Sequence, residues 1–327
     1  MGLKETFKRQ GGLNLIKQYA RARCLGTAIG EFILLGKSRT ALEILRLSTQ
    51  LKTKQRLEKK YRAKLEEINK SYDKSLPHIS SNKVWICWFQ GIDNAPELVR
   101  KCYESIEKNL IGKEIVLITS ENMNDYVQFP DYIIEKWKSG AITHTHLTDL
   151  LRLELLVKYG GMWLDATVFC SSTVEEIPSY FFDSNLFFFQ SLKPGRDGKS
   201  TYFSSWLMSA KTNNKVLMAT RELCYEYWKK NNKMDDYFLL HDFLSIVLDK
   251  YEDEWKEIMP RDNATPHIIL LRLFDKYDEK LWNVVKNQTP FHKLSYKYDE
   301  RELKKHNTFY SEVLCNSDYS NKEITYE

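Results

Sequence analysis

Between residues 160 and 167 the chain reads Gly160-Gly161-Met162-Trp163-Leu164-Asp165-Ala166-Thr167. His146 to Tyr159, just upstream, carries apolar residues at helical spacing. Gly160-Gly161 ends that helix, because the position past a helix C-terminus often takes the left-handed conformation that glycine adopts without steric cost. Met162 to Leu164 then reads as a short buried strand with Asp165 at its end. Ligands of open α/β sheets bind beyond the carboxyl ends of strands, so Asp165 stands where a ligand-contacting carboxylate is expected.

The neighbouring segments extend the same pattern. Lys83 to Phe89 (KVWICWF) and Glu114 to Thr119 (EIVLIT) are continuous apolar runs, and Pro96 opens a helix between them that reaches about Lys108. Buried strands alternating with helices predict an α/β fold, Rossmann-like, with a mostly parallel central sheet flanked by helices. Val168 to Ser171, Leu186 to Gln190 and Tyr202 to Ser209 read as further strands, Asn213 to Lys230 and Asp236 to Tyr251 as helices. The last sixty residues are mixed in character, and no internal repeat is visible.

Hydrophobic residues make up 43% of the 327, enough apolar surface for a packed core, so disorder is excluded as the dominant state. The net charge of +5 is unevenly spread. Met1 to Ser75 holds eighteen Lys/Arg against seven Asp/Glu, net +11, and the remainder is net −6. Two parts are therefore expected: a basic helical arm over 1–75 and a catalytic domain over 76–327. Phe32-Ile33-Leu34-Leu35 is a greasy patch within the arm, which suits a helix lying on an anionic membrane surface. The alternatives are packing on the catalytic domain or on a second copy of the chain. Nucleic acid is not expected as a partner, since no binding motif accompanies the basicity. Six scattered cysteines without a CxxC pair, no secretory signal and no run of eighteen apolar residues predict a cytoplasmic protein, peripheral on the inner face of the cell membrane.

Considered alone, an Asp after a strand is more often a turn or cap residue than a functional one. Thr148-Asp149-Leu150-Leu151-Arg152 adds an acid and a base three residues apart, hence on one helix face, where they form either a plain salt bridge or a donor–acceptor grip on hydroxyl groups. Together with Lys158 to Thr167 these words resemble the donor site of retaining GT-A glycosyltransferases. The nearest resemblance is to the capsular polysaccharide synthesis family, akin to the yeast-type α-mannosyltransferases and the glucosylating clostridial toxins. In those families a helix with Asp-x-x-Arg precedes a Gly-Gly turn and an Asp-x-Asp strand end, and here Asp149 precedes Asp165 by sixteen residues. The resemblance covers about 83–315. Trp85 to Gly91 looks like the first strand, with its aromatic near the nucleotide base, and His292-Lys293-Leu294-Ser295-Tyr296-Lys297 looks like the family's late His-Lys-Leu-x-Tyr-Lys signature. Pro266-His267 also falls where that family tends to place it.

The resemblance implies a GT-A fold and a hexose transferred from a nucleotide sugar, UDP-galactose or UDP-glucose by family habit, with retention, to a lipid-linked oligosaccharide in capsule or surface polysaccharide synthesis. It implies that Asp149, Arg152 and Asp165 form the catalytic set, and that Trp85, Trp88, Gln90, Gly91, Gly161, Lys293 and Lys297 join them in holding the donor. It also implies Mn2+ or Mg2+ on the donor diphosphate. The usual second Asp is replaced by Thr167, a weak neutral ligand, so the ion needs Asp165, Thr167 and a distant residue, for which His292 is the candidate, or else metal dependence is reduced. His241-Asp242 is a further acceptor-facing guess. Two other classes stay open: a non-catalytic scaffold that keeps the fold, and a sugar-polymer phosphotransferase, which would release UMP instead of UDP.

Overall fold

The computed structural model describes residues 13–191 and 203–316. In chain order the α-helices of eight residues or more are α1 (Leu13–Arg21), α2 (Leu25–Leu35), α3 (Arg39–Ser71), α4 (Glu97–Asn109), α5 (Asp131–Lys138), α6 (His144–Tyr159), α7 (Lys215–Lys230), α8 (Leu239–Lys250) and α9 (Glu279–Gln288). The strands are β1 (Lys83–Cys87), β2 (Glu114–Ile118), β3 (Gly161–Asp165), β4 (Val168–Cys170), β5 (Leu186–Gln190), β6 (Phe203–Ala210) and β7 (Phe291–Lys293). Tyr202, expected to open β6, lies outside the described residues, as do 1–12 of the basic arm.

The chain divides into two compact units. One takes Pro77–Gln128, Glu154–Asn214 and the described residues from Lys256 onward. Its sheet has the order β2-β1-β3-β6-β5. β1 pairs in parallel with β2 and β3, and β6 pairs antiparallel with β3 and β5. Four of the five strands thus run the same way, in agreement with the expected mostly parallel α/β sheet. Val84, Ile86, Met162, Leu164, Phe187 and Phe189 fill a core on one side of the sheet with Val99 and Ile106 of α4. β4 and β7 form a separate antiparallel ribbon.

Glycine dictates how tightly β3 enters this sheet. Gly160 has φ +67 and donates its N–H to Leu156 O, ending α6 as expected. Gly161 has φ +91, and a Cβ there would sit 2.3 Å from the Lys83 carbonyl oxygen on the neighbouring strand.

The other unit combines the described residues up to Leu76 with Phe129–Leu153 and Lys215–Trp255. The first segment of this unit ends at Leu76, and the N-terminal helices share the unit with two later segments. α3 packs on α2, α7 and α8. It buries Thr49, Thr53, Leu57, Tyr61 and Leu65, a stripe recurring every four residues along one helix face. The Tyr61 ring meets Phe243 edge-on at 5.3 Å, and ion pairs Arg56–Asp235, Lys54–Asp249 and Lys250–Glu66, each at 2.6 Å, flank the seam. Outside it, Ile33 and Leu34 of α2 are 74% and 81% exposed. Among the described residues no helix is long and apolar enough to cross a membrane.

Candidate functional site

Cys87 and Asp165 are register partners at the carboxyl ends of β1 and β3, so the loops leaving both strands open on one sheet edge. Trp163 lies two residues before Asp165, hence on the same strand face, and donates its indole N–H to Asp165 Oδ1 at 3.1 Å. Asp165 Oδ2 lies 3.3 Å from Lys293 Nζ, and the same ammonium donates to Thr167 Oγ1 at 2.5 Å. The β4–β7 ribbon makes this meeting possible: Val168 pairs with Lys293, and Leu294 N–H donates to Thr167 O at 2.9 Å. Asp165 keeps 28% of its side-chain surface open to solvent, so the cluster is reachable.

An aromatic pair belongs to the same unit. Trp88 follows β1, and its ring meets Tyr296 edge-on at 5.5 Å. Its indole N–H is buried without a hydrogen-bond partner, whereas Tyr296 is 42% exposed. Gln90 is exposed, and Gly91 closes the loop with φ +77 by donating to Trp88 O at 3.0 Å. Lys297 is exposed next to the Tyr296 ring.

Three expected site residues are placed elsewhere. Trp85 is fully buried, packed on Tyr126 and Tyr159 with its indole N–H donated to Gly160 O at 2.9 Å, so it is a core residue and offers no face to a base. Gly161 starts β3 whereas Asp165 ends it, four residues or about 13 Å away at the usual strand rise, so its role is close strand approach and not ligand contact. His292 adjoins Lys293 on β7 and therefore points to the opposite face of the ribbon. It is fully buried between Phe169 and Trp282, its Nε2 lies 2.9 Å from the Ser171 hydroxyl, and burial drives its pKa down to about 3. On that side Phe169, Ser171 and Trp282 line a cavity of about 350 Å3 that does not include Asp165.

The metal set is therefore not assembled. Among the described residues no group of three or more His, Cys, Asp and Glu is placed to hold an ion. A cationic ammonium already contacts both Asp165 and Thr167, so these donors do not fit a divalent ion in the way the motif implies.

Asp149 and Arg152 lie on α6 in the other unit, 6% and 4% exposed. Arg152 Nη2 is 3.3 Å from Asp149 Oδ1, and His146 Nδ1 is 3.3 Å from Asp149 Oδ2. Trp228 of α7 donates its indole N–H to His146 Nε2 at 2.9 Å, which leaves the ring proton on Nδ1 and aims it at the carboxylate. Burial pushes the Asp149 carboxyl up, but Arg152 first, then His146 and His241, outweigh it and hold the group below the usual carboxylate range. Asp242, by contrast, is buried with one carboxyl oxygen lacking a hydrogen-bond partner. Burial and neighbouring Asp236 push its pKa well up, only partly offset by Lys54 and Arg56.

The profile of the family described as capsular polysaccharide synthesis protein matches residues 38–313. The chain belongs to that family. The match begins at Ser38, which caps α3, so the family region takes in the long basic helix that the sequence resemblance had left out. The chain is 24% identical over 187 residues to the O-glycosyltransferase PaGT of Phomopsis amygdali, 52% of this chain and 45% of that protein. It is 31% identical over 110 residues to the O-glycosyltransferase braB of Annulohypoxylon truncatum, 31% of this chain and 26% of that protein. The chain thus spans less than half the length of these curated relatives. Among solved structures it is similar to the PaToxG glycosyltransferase, with a TM-score of 0.36 and 14% identity, covering 72% of this chain and 95% of that one. The catalytic domain of α-toxin from Clostridium novyi follows with a TM-score of 0.29 and 10% identity, covering 72% and 73%.

Sequence reasoning missed Trp163, Tyr296, His146 and Trp228. For Trp163 a signal existed, since strand alternation puts residues i and i+2 on one face. Tyr296 stood in the quoted His-Lys-Leu-x-Tyr-Lys words, while Trp228 reaches His146 across 82 residues with no local pattern to announce it.

Proposed function

We propose that the chain is a glycosyltransferase that takes a nucleotide-sugar donor at the carboxyl end of β3. The observation that carries the reading is the Asp165 cluster, a solvent-reachable carboxylate steered by Trp163 with a hydroxyl and an ammonium beside it. In this reading Asp165 accepts from the ribose hydroxyls, Trp88 and Tyr296 offer aromatic surface to the base, and Lys297 adds positive charge. In the other unit, taken by itself, Asp149 and Arg152 form a buried acid–base pair with the donors and acceptors to hold hydroxyl groups, the role the family motif implies. The donor is UDP-galactose or UDP-glucose, and the acceptor hydroxyl attacks on the face the diphosphate leaves, which gives retention.

Donor hydrolysis across a panel of nucleotide sugars tests this. Asp165→Asn should lower the rate by about a hundredfold or more, the usual cost of removing one preorganised polar contact to the reacting complex. UDP must be the product; release of UMP would mean phosphotransfer. A chain that binds no donor and turns none over is a scaffold.

We further propose that the acceptor is lipid-linked and that α2 meets the inner face of an anionic membrane. The exposed Ile33 and Leu34 and the basic N-terminal segment support it. The paired substitution Ile33→Asp, Leu34→Asp should weaken binding to phosphatidylglycerol vesicles at least tenfold and leave donor hydrolysis unchanged, because two exposed apolar side chains of this size contribute about 1.5–3 kcal/mol each when buried. Unaltered vesicle sedimentation would defeat the membrane reading. Deleting the arm is a poorer test, since it strips α3 from α7 and α8.

A further inference from the structure

The position that a second Asp and a divalent ion would share is taken by Thr167 and Lys293. We propose that Lys293 is the resident cation of the donor site: its ammonium, held by Asp165 and Thr167, neutralises the donor diphosphate, and the chain binds nucleoside diphosphate without a divalent ion. The inference rests on the donor-site reading above and commits it to one kind of charge.

Lys293 Nζ lies 3.3 Å from Asp165 Oδ2 and 2.5 Å from Thr167 Oγ1, which places a fixed positive charge between two oxygens that would otherwise face a metal. An ammonium has three donors; those two contacts occupy two, and the third reaches only the Leu294 carbonyl at a long 3.5 Å, a weak contact that an incoming phosphate oxygen can replace. The carboxylate that holds the ammonium is itself oriented through its other oxygen by the Trp163 indole, so the charge is positioned before any ligand arrives. The long lysine chain would otherwise sample many rotamers, and anchoring it in advance reduces the entropy lost on binding. A divalent ion at Asp165 would have to displace the ammonium against like-charge repulsion. It would gain there a threonine hydroxyl in place of a carboxylate, and His292 cannot help, being buried on the other face of the ribbon. Threonine at 167 fits this arrangement for a simple reason. An aspartate there would give the single ammonium two carboxylates to neutralise, leaving little positive charge for phosphate.

Isothermal titration of the full chain with UDP, in EDTA and in excess Mn2+, tests the proposal. The parent should bind UDP with affinities within about twofold in the two buffers. Lys293→Met should lose about tenfold to a hundredfold in EDTA, the equivalent of one charge-assisted hydrogen bond of about 1.5–3 kcal/mol. Lys293→Arg, which keeps the charge, should retain most of the affinity and controls for folding. The double change Lys293→Met, Thr167→Asp should bind UDP only when Mn2+ is present. UDP binding by the parent that requires Mn2+ overturns the inference and leaves the donor-site reading intact. No UDP binding by the parent in either buffer overturns that reading, and the inference with it. If Lys293→Met does not fold, the parent comparison and Lys293→Arg still decide: loss of EDTA-resistant binding in the Arg variant alone would count against a role for the charge.

Discussion

A Gly161→Ala variant is expected to unfold at least about 10 °C below the parent, or to fail to accumulate as soluble protein. The added Cβ would lie 2.3 Å from the Lys83 carbonyl oxygen, a backbone atom of the paired strand that has no flexible end to move away. Relief requires β1 and β3 to part, and those strands anchor the middle of the sheet between β2 and β6. The φ of +91 adds strain for any residue with a side chain. We expect about 4 kcal/mol or more in total, in the range reserved for overpacking combined with a forbidden backbone geometry. Gly112→Ala is the control. It shares a positive φ, +85, but its Cβ would meet nothing within 4 Å, so only the local strain of about 1–2 kcal/mol should be lost. Thermal melts of the two variants side by side decide the matter, and equal midpoints would mean the strand contact is softer than the geometry says.

The second large effect concerns Arg152→Met. Methionine replaces the volume but leaves the Asp149 carboxylate buried without its strongest counter-charge, and breaking a buried pair by removing one partner costs about 3–5 kcal/mol. The sign of the pH dependence distinguishes this from simple loss of packing. In the parent the Asp149 carboxyl is held below its ordinary value, so its contribution is fully present above about pH 4, the unfolded carboxyl's pKa, and fades as pH falls through the lower folded value. In the variant, burial is opposed only by His146 and His241, and the folded pKa rises. Protonation then relieves the uncompensated charge, so the stability gap between the two proteins should narrow as pH drops from 7 towards 4. A gap that stays constant over that interval would point to packing alone. Asp149→Asn in the Arg152→Met background should recover part of the loss, because it removes the orphaned charge.

Much of the sheet was legible because its strands are continuous apolar runs. KVWIC and EIVLI can be covered on both faces only by helices, and the glycine pair marks where α6 must stop for β3 to begin. Asp149 and Arg152 were legible through their three-residue step, a property of one helix turn. Trp85 was not, since an indole reads the same whether it stacks on a ligand or fills a core. Its place was settled by strand alternation, which sets it with Tyr126 and Tyr159 and away from Val84 and Ile86. The meeting of Lys293 with Thr167, 126 positions apart, depends on the register of a three-residue ribbon, and nothing local encodes that register. His292 misled for the same reason. One residue of register separates a side chain facing Asp165 from one facing Trp282.

The long helix α3 also imposes an order of events in time. Lys54 waits for Asp249, a partner 195 residues later in the chain, and Tyr61 waits for Phe243. At ribosomal rates of about 5–20 residues per second this is an interval of about 10–40 s in which the face carrying Leu57, Tyr61 and Leu65 lacks α7 and α8. A helix synthesised early is thus among the last to be fully buried. Anything that binds an apolar, basic helix, whether a chaperone or a bilayer, has its opportunity during translation, before α7 and α8 close over the stripe.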